Sequence, residues 1–184
     1  MTKSATREAA DKVTFTQTEV NSAVALKAPI ASPVFTGDIT VSGGVYLGGT
    51  GAANKLQDYE EGTFTPSVSA AASHSIQLGF YTKVGNLVTV TIKIECALSS
   101  GSLIVSGLPF VASSASSYHP CGSFFGVIGF ENYGHGGIAT QIVPNQAVVQ
   151  LYIQNNSSSS NYTAIDSTHV AASCNFSINI SYTV

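Results

Sequence analysis

The residue types that most often bind metals or catalyse reactions are few in this sequence and stand apart. The chain of 184 residues contains four histidines and three cysteines. None of them falls into the His-x-His, HExxH or Cys-x-x-Cys spacings that would bring metal ligands together. We therefore predict no metal site and no cofactor.

Catalytic arrangements are equally poorly supported. Asp166 and His169 could join one of the many serines in a triad, but no GxSxG element accompanies them. A glycosidase needs two placed carboxylates, and beyond Gly62 the sequence offers only Glu95, Glu131 and Asp166. We predict that the protein is not an enzyme, with a polysaccharide depolymerase as the remaining catalytic alternative.

A binding function is better supported than catalysis, and three polar segments are its candidate sites. Residues 118–121, 131–137 and 155–162 combine aromatic rings, amides, hydroxyls and small residues. These groups hydrogen-bond to and stack on sugars, or adapt to a protein surface. The alternative is that the aromatic residues belong to a core or an interface. The candidate receptor-binding residues are Tyr118, His119, Tyr133, His135, Asn156 and Tyr162.

The distribution of charge restricts the partners. Charged residues make up 9% of the chain, the net charge is −3, and no Lys or Arg follows Lys93. A second half without these cations cannot neutralise many phosphates, so we predict no nucleic-acid partner. No stretch approaches the roughly 20 apolar residues of a membrane span, and the first residues contain no apolar signal region. We expect no membrane insertion, and synthesis in a cytoplasm without classical secretion.

Two long alternating segments predict that an all-β domain positions these polar segments. In residues 87–96 and 174–184, apolar and polar side chains alternate with the period of two that is typical of a half-buried strand. Shorter strand candidates lie at 123–130, 138–143 and 147–154, and Gly85-Asn86 predicts a hairpin turn. We predict an antiparallel β-sandwich, jelly-roll-like, over residues 62–184. The apolar faces of the two long segments are Val88, Val90, Ile92, Ile94 and Cys96, and Cys174, Phe176, Ile178, Ile180, Tyr182 and Val184.

The same strand faces predict the environment of two of the three cysteines. Cys96 and Cys174 lie on the apolar sides of these strands, where a thiol behaves as a small hydrophobic group. With Cys121 the number of cysteines is odd, so at least one thiol cannot take part in a disulfide within the chain. Buried free thiols are favoured over a disulfide.

The N-terminal part is predicted to be helical and then extended. Thr16 and Glu19 fit a capping box before a short apolar stripe, and Pro29 ends the helix. A helix of about ten residues is marginal in isolation, so we expect it to pack against copies of itself around a symmetry axis. Docking on its own β-domain is the alternative. Candidate interface residues are Val20, Val24, Pro29, Ile30, Pro33 and Phe35.

Residues 38–62 are predicted to form short strands followed by a hinge. Ile39 and Val41 alternate with polar residues, and glycine turns separate them from a second short strand near Tyr46. The acidic group at 58–61 could bind a cation, but a solvated linker or an interface cap is favoured.

Several phrases of the sequence resemble elements of tailed-bacteriophage fibre proteins. Residues 31–37, ASPVFTG, are similar to their "ASPxFTG" element, and LKAP at 26–29 often precedes it. Residues 56–66, LQDYEEGTFTP, resemble the line "LDDYEEGTWTP", with Gln57 and Phe64 as departures. GFYTKVGNLV at 79–88 and SGLPF at 106–110 resemble the family's "GxYTKIGNLV" and "ISGLPF".

This resemblance implies a homotrimeric fibre with three parts. Residues 1–28 would attach it to a tail, baseplate or capsid protein, residues 29–61 would form a β-wound shaft and hinge, and 62–184 the head. The head would bind a host surface glycan or protein. The alternative is a capsid decoration or vertex fibre without a receptor and without catalysis. We expect the protein in the virion, at the tail or baseplate rather than the capsid.

Overall fold

The computed structural model describes residues 16–25, 33–114, 120–130, 137–154 and 162–184. The described residues divide into two units on either side of the bond between Ser42 and Gly43.

The first unit contains helix α1 (Gln17–Ala25). The backbone N–H of Thr16 donates to Glu19 Oε2 at 2.8 Å, and the Glu19 N–H donates to Thr16 Oγ1 at 3.2 Å. The predicted capping box is therefore confirmed. Its hydrogen bond from the Thr16 amide lowers the pKa of the Glu19 carboxyl. The helix ends at Ala25, and the predicted stop at Pro29 lies outside the described residues.

Residues 33–42 of the first unit contain no strand. The alternation of Ile39 and Val41 predicted one, but both side chains are exposed. A strand needs a hydrogen-bonded neighbour and a face to bury, and no strand pairs with this segment among the described residues.

The second unit begins with a small hairpin and continues as a large sheet. Strand β1 (Val45–Tyr46) pairs with β2 (Lys55–Leu56) across a short 3-10 turn. The large sheet is built from β3 (Tyr59–Phe64), β4 (Ser67–Val68), β5 (Ala71–Val84), β6 (Leu87–Leu98), β7 (Ile104–Ser106), β8 (Cys121–Ile128), β9 (Ile138–Ile142), β10 (Val148–Gln154), β11 (Tyr162–Ala164) and β12 (Ser173–Thr183).

These ten strands form one curled antiparallel sheet, and the all-β prediction is confirmed. The order is β3-β5-β6-β12-β8-β9-β10-β7-β4, with β11 beside β10. Apolar side chains from both halves of this path belong to a single buried cluster. The sheet therefore folds over its own apolar face, which becomes the core.

Strands β6 and β12 form the centre of the core in the predicted register. Each inward residue of one strand lies opposite an inward residue of the other, as in Ile178 and Ile92. The predicted apolar faces of both strands are buried except at the end of the chain, where Val184 remains 38% exposed. Its backbone N–H nevertheless donates to the Asn86 carbonyl at 2.9 Å, which ties Val184 to the turn between β5 and β6.

The hairpin between β5 and β6 also lies where the sequence predicts it. Gly85 has a positive φ of 59°, which the first central residue of a type II′ turn requires. Strand β3 crosses the expected boundary at Gly62, because Tyr59, Glu60 and Glu61 pair with Val84, Lys83 and Thr82. Glu60 and Glu61 therefore belong to a strand of the sheet.

Candidate ligand-binding cleft

An open cleft of about 350 Å³ lies on the outer face of the sheet at β9. Its lining combines two phenols, an amide, a thiol and small side chains. The lining residues are Cys121, Ala139, Thr140, Gln141, Tyr152 and Tyr162.

Strand register explains why these residues meet. In β10 the residues Leu151 and Ile153 are buried, so the alternation of a strand turns Tyr152 outward. Tyr152 lies opposite Ala139 of β9, and Cys121 of β8 lies opposite Gln141. Both Ala139, with its small side chain, and Tyr152 line the cleft.

The wall formed by β8 is fixed by a short contact with β9. The Gly122 N–H donates to Thr140 Oγ1 at 3.1 Å, and the Thr140 hydroxyl donates to the Gly122 carbonyl at 3.0 Å. One residue further, β8 changes partner, because Ser123 lies opposite Asn179 of β12. Strand β8 thus links the two halves of the sheet at the edge of the cleft.

Tyr162 is the predicted receptor-binding residue that the structure brings to this cleft. It begins β11 opposite Gln154, and it is 59% exposed, so it is not a core aromatic. Tyr118, His119, Tyr133, His135 and Asn156 lie outside the described residues. Their segments join strands that line the cleft: 115–119 precedes β8, 131–136 precedes β9, and 155–161 connects β10 to β11.

The cleft combines aromatic faces with hydrogen-bonding groups. Among the described residues that line it, none has a charged side chain. Phenol rings beside an amide can stack on an apolar face and hydrogen-bond to hydroxyl groups. Since no Lys or Arg follows Lys93 in the sequence, neither cation is available from the adjoining segments for an anionic ligand.

Sequence reasoning missed Ala139, Gln141 and Tyr152. A signal existed, because they occupy the outward positions of two strands that were predicted. The strand candidates did not reveal which outward positions lie side by side, since pairing register depends on contacts distant in sequence.

A second, shallower groove of about 400 Å³ lies where β3 pairs with β5. It is lined by Glu61, Gly62, Thr63, Phe80, Tyr81 and Thr82. The acidic side chains beside it have partners within the chain. Tyr81 donates its hydroxyl to Glu60 and Tyr59 donates to Glu61, each at 2.5 Å, and Asp58 pairs with Lys83. The hydrogen bond to Glu60 raises the pKa of the Tyr81 phenol.

Asp166 and His169 do come together, with 2.7 Å between Asp166 Oδ1 and His169 Nδ1. The contact closes a local turn, because the His169 backbone N–H also donates to the Asp166 carbonyl at 3.0 Å. The neighbouring Ser167 hydroxyl accepts the Gly101 N–H at 3.0 Å. The Thr168 hydroxyl and amide lower the pKa of the Asp166 carboxyl. These contacts tie the turn to the loop before β7.

The expected trimer-interface residues are exposed where the structure describes them. Val20 of α1 is 41% exposed, Phe35 is 57% exposed, and Pro33 is exposed as well. The Val24 side chain, Pro29 and Ile30 lie outside the described residues. In a single chain these apolar groups are available for contact.

Within the described part of the chain, no α-helix has the length and hydropathy to span a bilayer, and no three His, Cys, Asp or Glu side chains cluster as metal ligands would. The sequence as a whole matches no protein-family model and no curated protein.

Proposed function

We propose that the chain is a bacteriophage fibre protein whose head binds a glycan or a protein on the host surface. The observation that carries the proposal is the cleft in front of Tyr152 and Tyr162, because aromatic faces beside an amide suit a sugar ring and its hydroxyls. The phrases that resemble phage fibre proteins support the same function. Among the two receptor classes, a neutral glycan is the better match to the lining.

The head, residues 62–184, is proposed to be a jelly-roll-like β-sandwich. In support, the strands β3-β5-β6-β12-β8 and β9-β10-β7-β4 follow one another in the sheet, and both runs contribute to one apolar cluster. Two packed layers are the usual way for sheets to bury their apolar faces.

Assembly is proposed to be homotrimeric, with residues 29–61 as a shaft and residues 1–28 attached to a tail, baseplate or capsid protein. Supporting this, Phe35, Ile39 and Val41 expose large apolar side chains within a few residues of one another. Such surface is typical of an interaction site rather than of an isolated soluble chain.

Binding to bacteria and to immobilised glycans tests the receptor function. The full chain, labelled with a fluorophore, is titrated against a panel of bacterial strains and an array of neutral and acidic glycans. We expect saturable binding to at least one strain, and the Tyr162→Ala variant should weaken it by at least about tenfold, as loss of an aromatic hot spot does.

A matched control is Tyr46→Ala, which removes a second exposed tyrosine that does not line the cleft. This variant should bind as the unmodified chain does. Equal losses in the two variants, or no binding to any strain at micromolar concentration, would contradict the receptor function.

The alternative is a capsid decoration or vertex fibre without a receptor. One observation favours it: Phe80 is 54% and Phe125 is 68% exposed on the outer face of β5 and β8, which suits a contact with another virion protein. Imaging the labelled chain on the particle distinguishes the two, because a capsid position together with absent cell binding supports the alternative.

A further inference from the structure

Two cysteines face each other across β6 and β12, near one end of both strands. Cys96 of β6 lies directly opposite Cys174 of β12, and their Sγ atoms are 2.9 Å apart. Both residues are buried, and both are free thiols, as the sequence predicted.

The backbone at this pair suits a disulfide. Opposed residues in an antiparallel pair have Cα atoms about 4.5–5.5 Å apart, and disulfides join Cα atoms about 4.4–6.8 Å apart. The two sulfur atoms already touch, so bond formation requires a small approach of the side chains and no exchange of strand partners.

We propose that Cys96 and Cys174 are a site of reversible covalent modification, at which a peroxide converts the two thiols into a disulfide that joins β6 to β12. In the first step the Cys96 thiolate attacks one oxygen of hydrogen peroxide. The O–O bond breaks, a sulfenic acid forms on Cys96, and the hydroxide that leaves takes up the thiol proton as water.

In the second step the Cys174 sulfur attacks the Cys96 sulfur. The S–O bond breaks, the S–S bond forms, and the hydroxyl group leaves with the Cys174 proton as a second water. Two thiols are oxidised by two electrons in total, and one peroxide is reduced to two waters.

The contact between the thiols favours a thiolate at one of them. Their Sγ atoms are 2.9 Å apart and either thiol can donate to the other; this hydrogen bond lowers the pKa of Cys96 and, together with burial, raises the pKa of Cys174. With Cys96 as the attacking thiolate and Cys174 as the resolving thiol, or with the two exchanged, the products are the same disulfide and two waters.

The pair lies near a strand end where a small oxidant can enter. The last contact that extends this pairing is from the Leu98 N–H to the Ala172 carbonyl. On the other side of β6, the register of β5 shifts between His74 and Ile76, next to Cys96. Opening of a strand end costs less than global unfolding, and hydrogen peroxide is little larger than water.

The test uses the full chain in its folded state. Exposed Cys121 is first capped with N-ethylmaleimide, the protein is treated with hydrogen peroxide, and iodoacetamide is added after denaturation. We expect two iodoacetamide adducts before oxidation and none after it, a mass lower by about 2 Da, and a peptide that links Cys96 to Cys174. Dithiothreitol should restore both adducts.

Stability and a variant provide independent readouts. The disulfide closes a long loop, so the thermal midpoint of the oxidised chain should rise by on the order of 10 °C. In Cys174→Ser, Cys96 should stop at a sulfenic acid that dimedone traps. The proposal would be overturned by two adducts remaining after peroxide treatment, by a sulfinic acid on Cys96, or by a disulfide from either residue to a second chain. These outcomes are read from the chain without the Cys174→Ser substitution, even if that variant fails to fold.

Discussion

At the scale of single residues, Tyr182 shows how a polar group is accommodated in the core. Its ring is fully buried, and its hydroxyl donates to the Phe110 carbonyl at 3.0 Å. The Phe110 ring in turn meets Tyr81 edge to face, with centroids 5.5 Å apart, and the Lys83 ammonium lies 5.6 Å from its centroid. Tyr182 therefore anchors the segment after β7 to the last strand.

Removing the Tyr182 hydroxyl should destabilise the fold slightly. In Tyr182→Phe the ring still fills its site, but the Phe110 carbonyl loses its partner, which costs about 1 kcal/mol. The free energy of unfolding, measured by urea titration, should fall by that amount. Tyr46→Phe, at an exposed position, is the matched control and should leave the midpoint unchanged.

The same variant should change the response to alkaline pH. Burial raises the pKa of Tyr182 to about 12, above the ordinary value near 10 of an unfolded chain. The folded state therefore holds this proton more tightly, and the resulting stability is present below pH 10 and is lost as the pH rises towards 12. Tyr182→Phe should lose less stability than the unmodified chain across this interval. If the free energy of unfolding falls with pH in parallel for the two proteins, this role of Tyr182 is contradicted.

At the scale of elements, β8 is the strand that holds the two halves of the sheet together. It passes from β9 to β12 at Gly122, where a Cβ atom would lie 2.6 Å from the Cβ of Ile180. Only glycine permits this close approach. At Gly137, just before β9, a Cβ atom would meet nothing within 4 Å.

These two glycines form a matched pair for a test of the crossing. Gly122→Ala should lower the free energy of unfolding by about 1–3 kcal/mol, the usual cost of inserting a methyl group into a packed site. Gly137→Ala should be neutral or slightly stabilising, because it reduces the freedom of the unfolded chain. Thermal melts of both variants check this, and equal midpoints would show that the crossing tolerates a side chain.

The elements also show what the sequence predicts well. Strands β6 and β12 are long and alternate without a break, so period two was enough to assign both their extent and their buried faces. Strands β4, β7 and β11 have only two or three residues each. They exist because longer neighbours supply hydrogen bonds from distant parts of the chain, which a local pattern does not contain.

At the scale of the whole molecule, the cleft depends on the same non-local information. Tyr162 was predicted from its residue type and its loop, and it does line the cleft. Tyr152 and Gln141 can be recognised as cleft residues only when the pairing of β8, β9, β10 and β11 is known. Residue chemistry could therefore nominate part of the site, and register was needed to complete it.

Assembly is the property of the whole molecule that a single substitution tests most directly. Phe35 is exposed in one chain, and burying a phenylalanine contributes about 1.5–3 kcal/mol. If three copies bury it at a common axis, Phe35→Asp removes roughly 4.5–9 kcal/mol per trimer and adds three like charges in proximity. Light scattering should show the unmodified chain at three times the 19.0 kDa of one chain and the variant as a monomer.

The neighbouring Thr36→Asp, also at an exposed position, controls for the added charge. This variant should remain a trimer, with a smaller loss of trimer stability than Phe35→Asp. Because residues 43–184 form a separate unit, the thermal midpoint of the sheet should persist in both variants. A monomeric unmodified chain would contradict the trimer, and a trimeric Phe35→Asp would show that the assembly is held elsewhere.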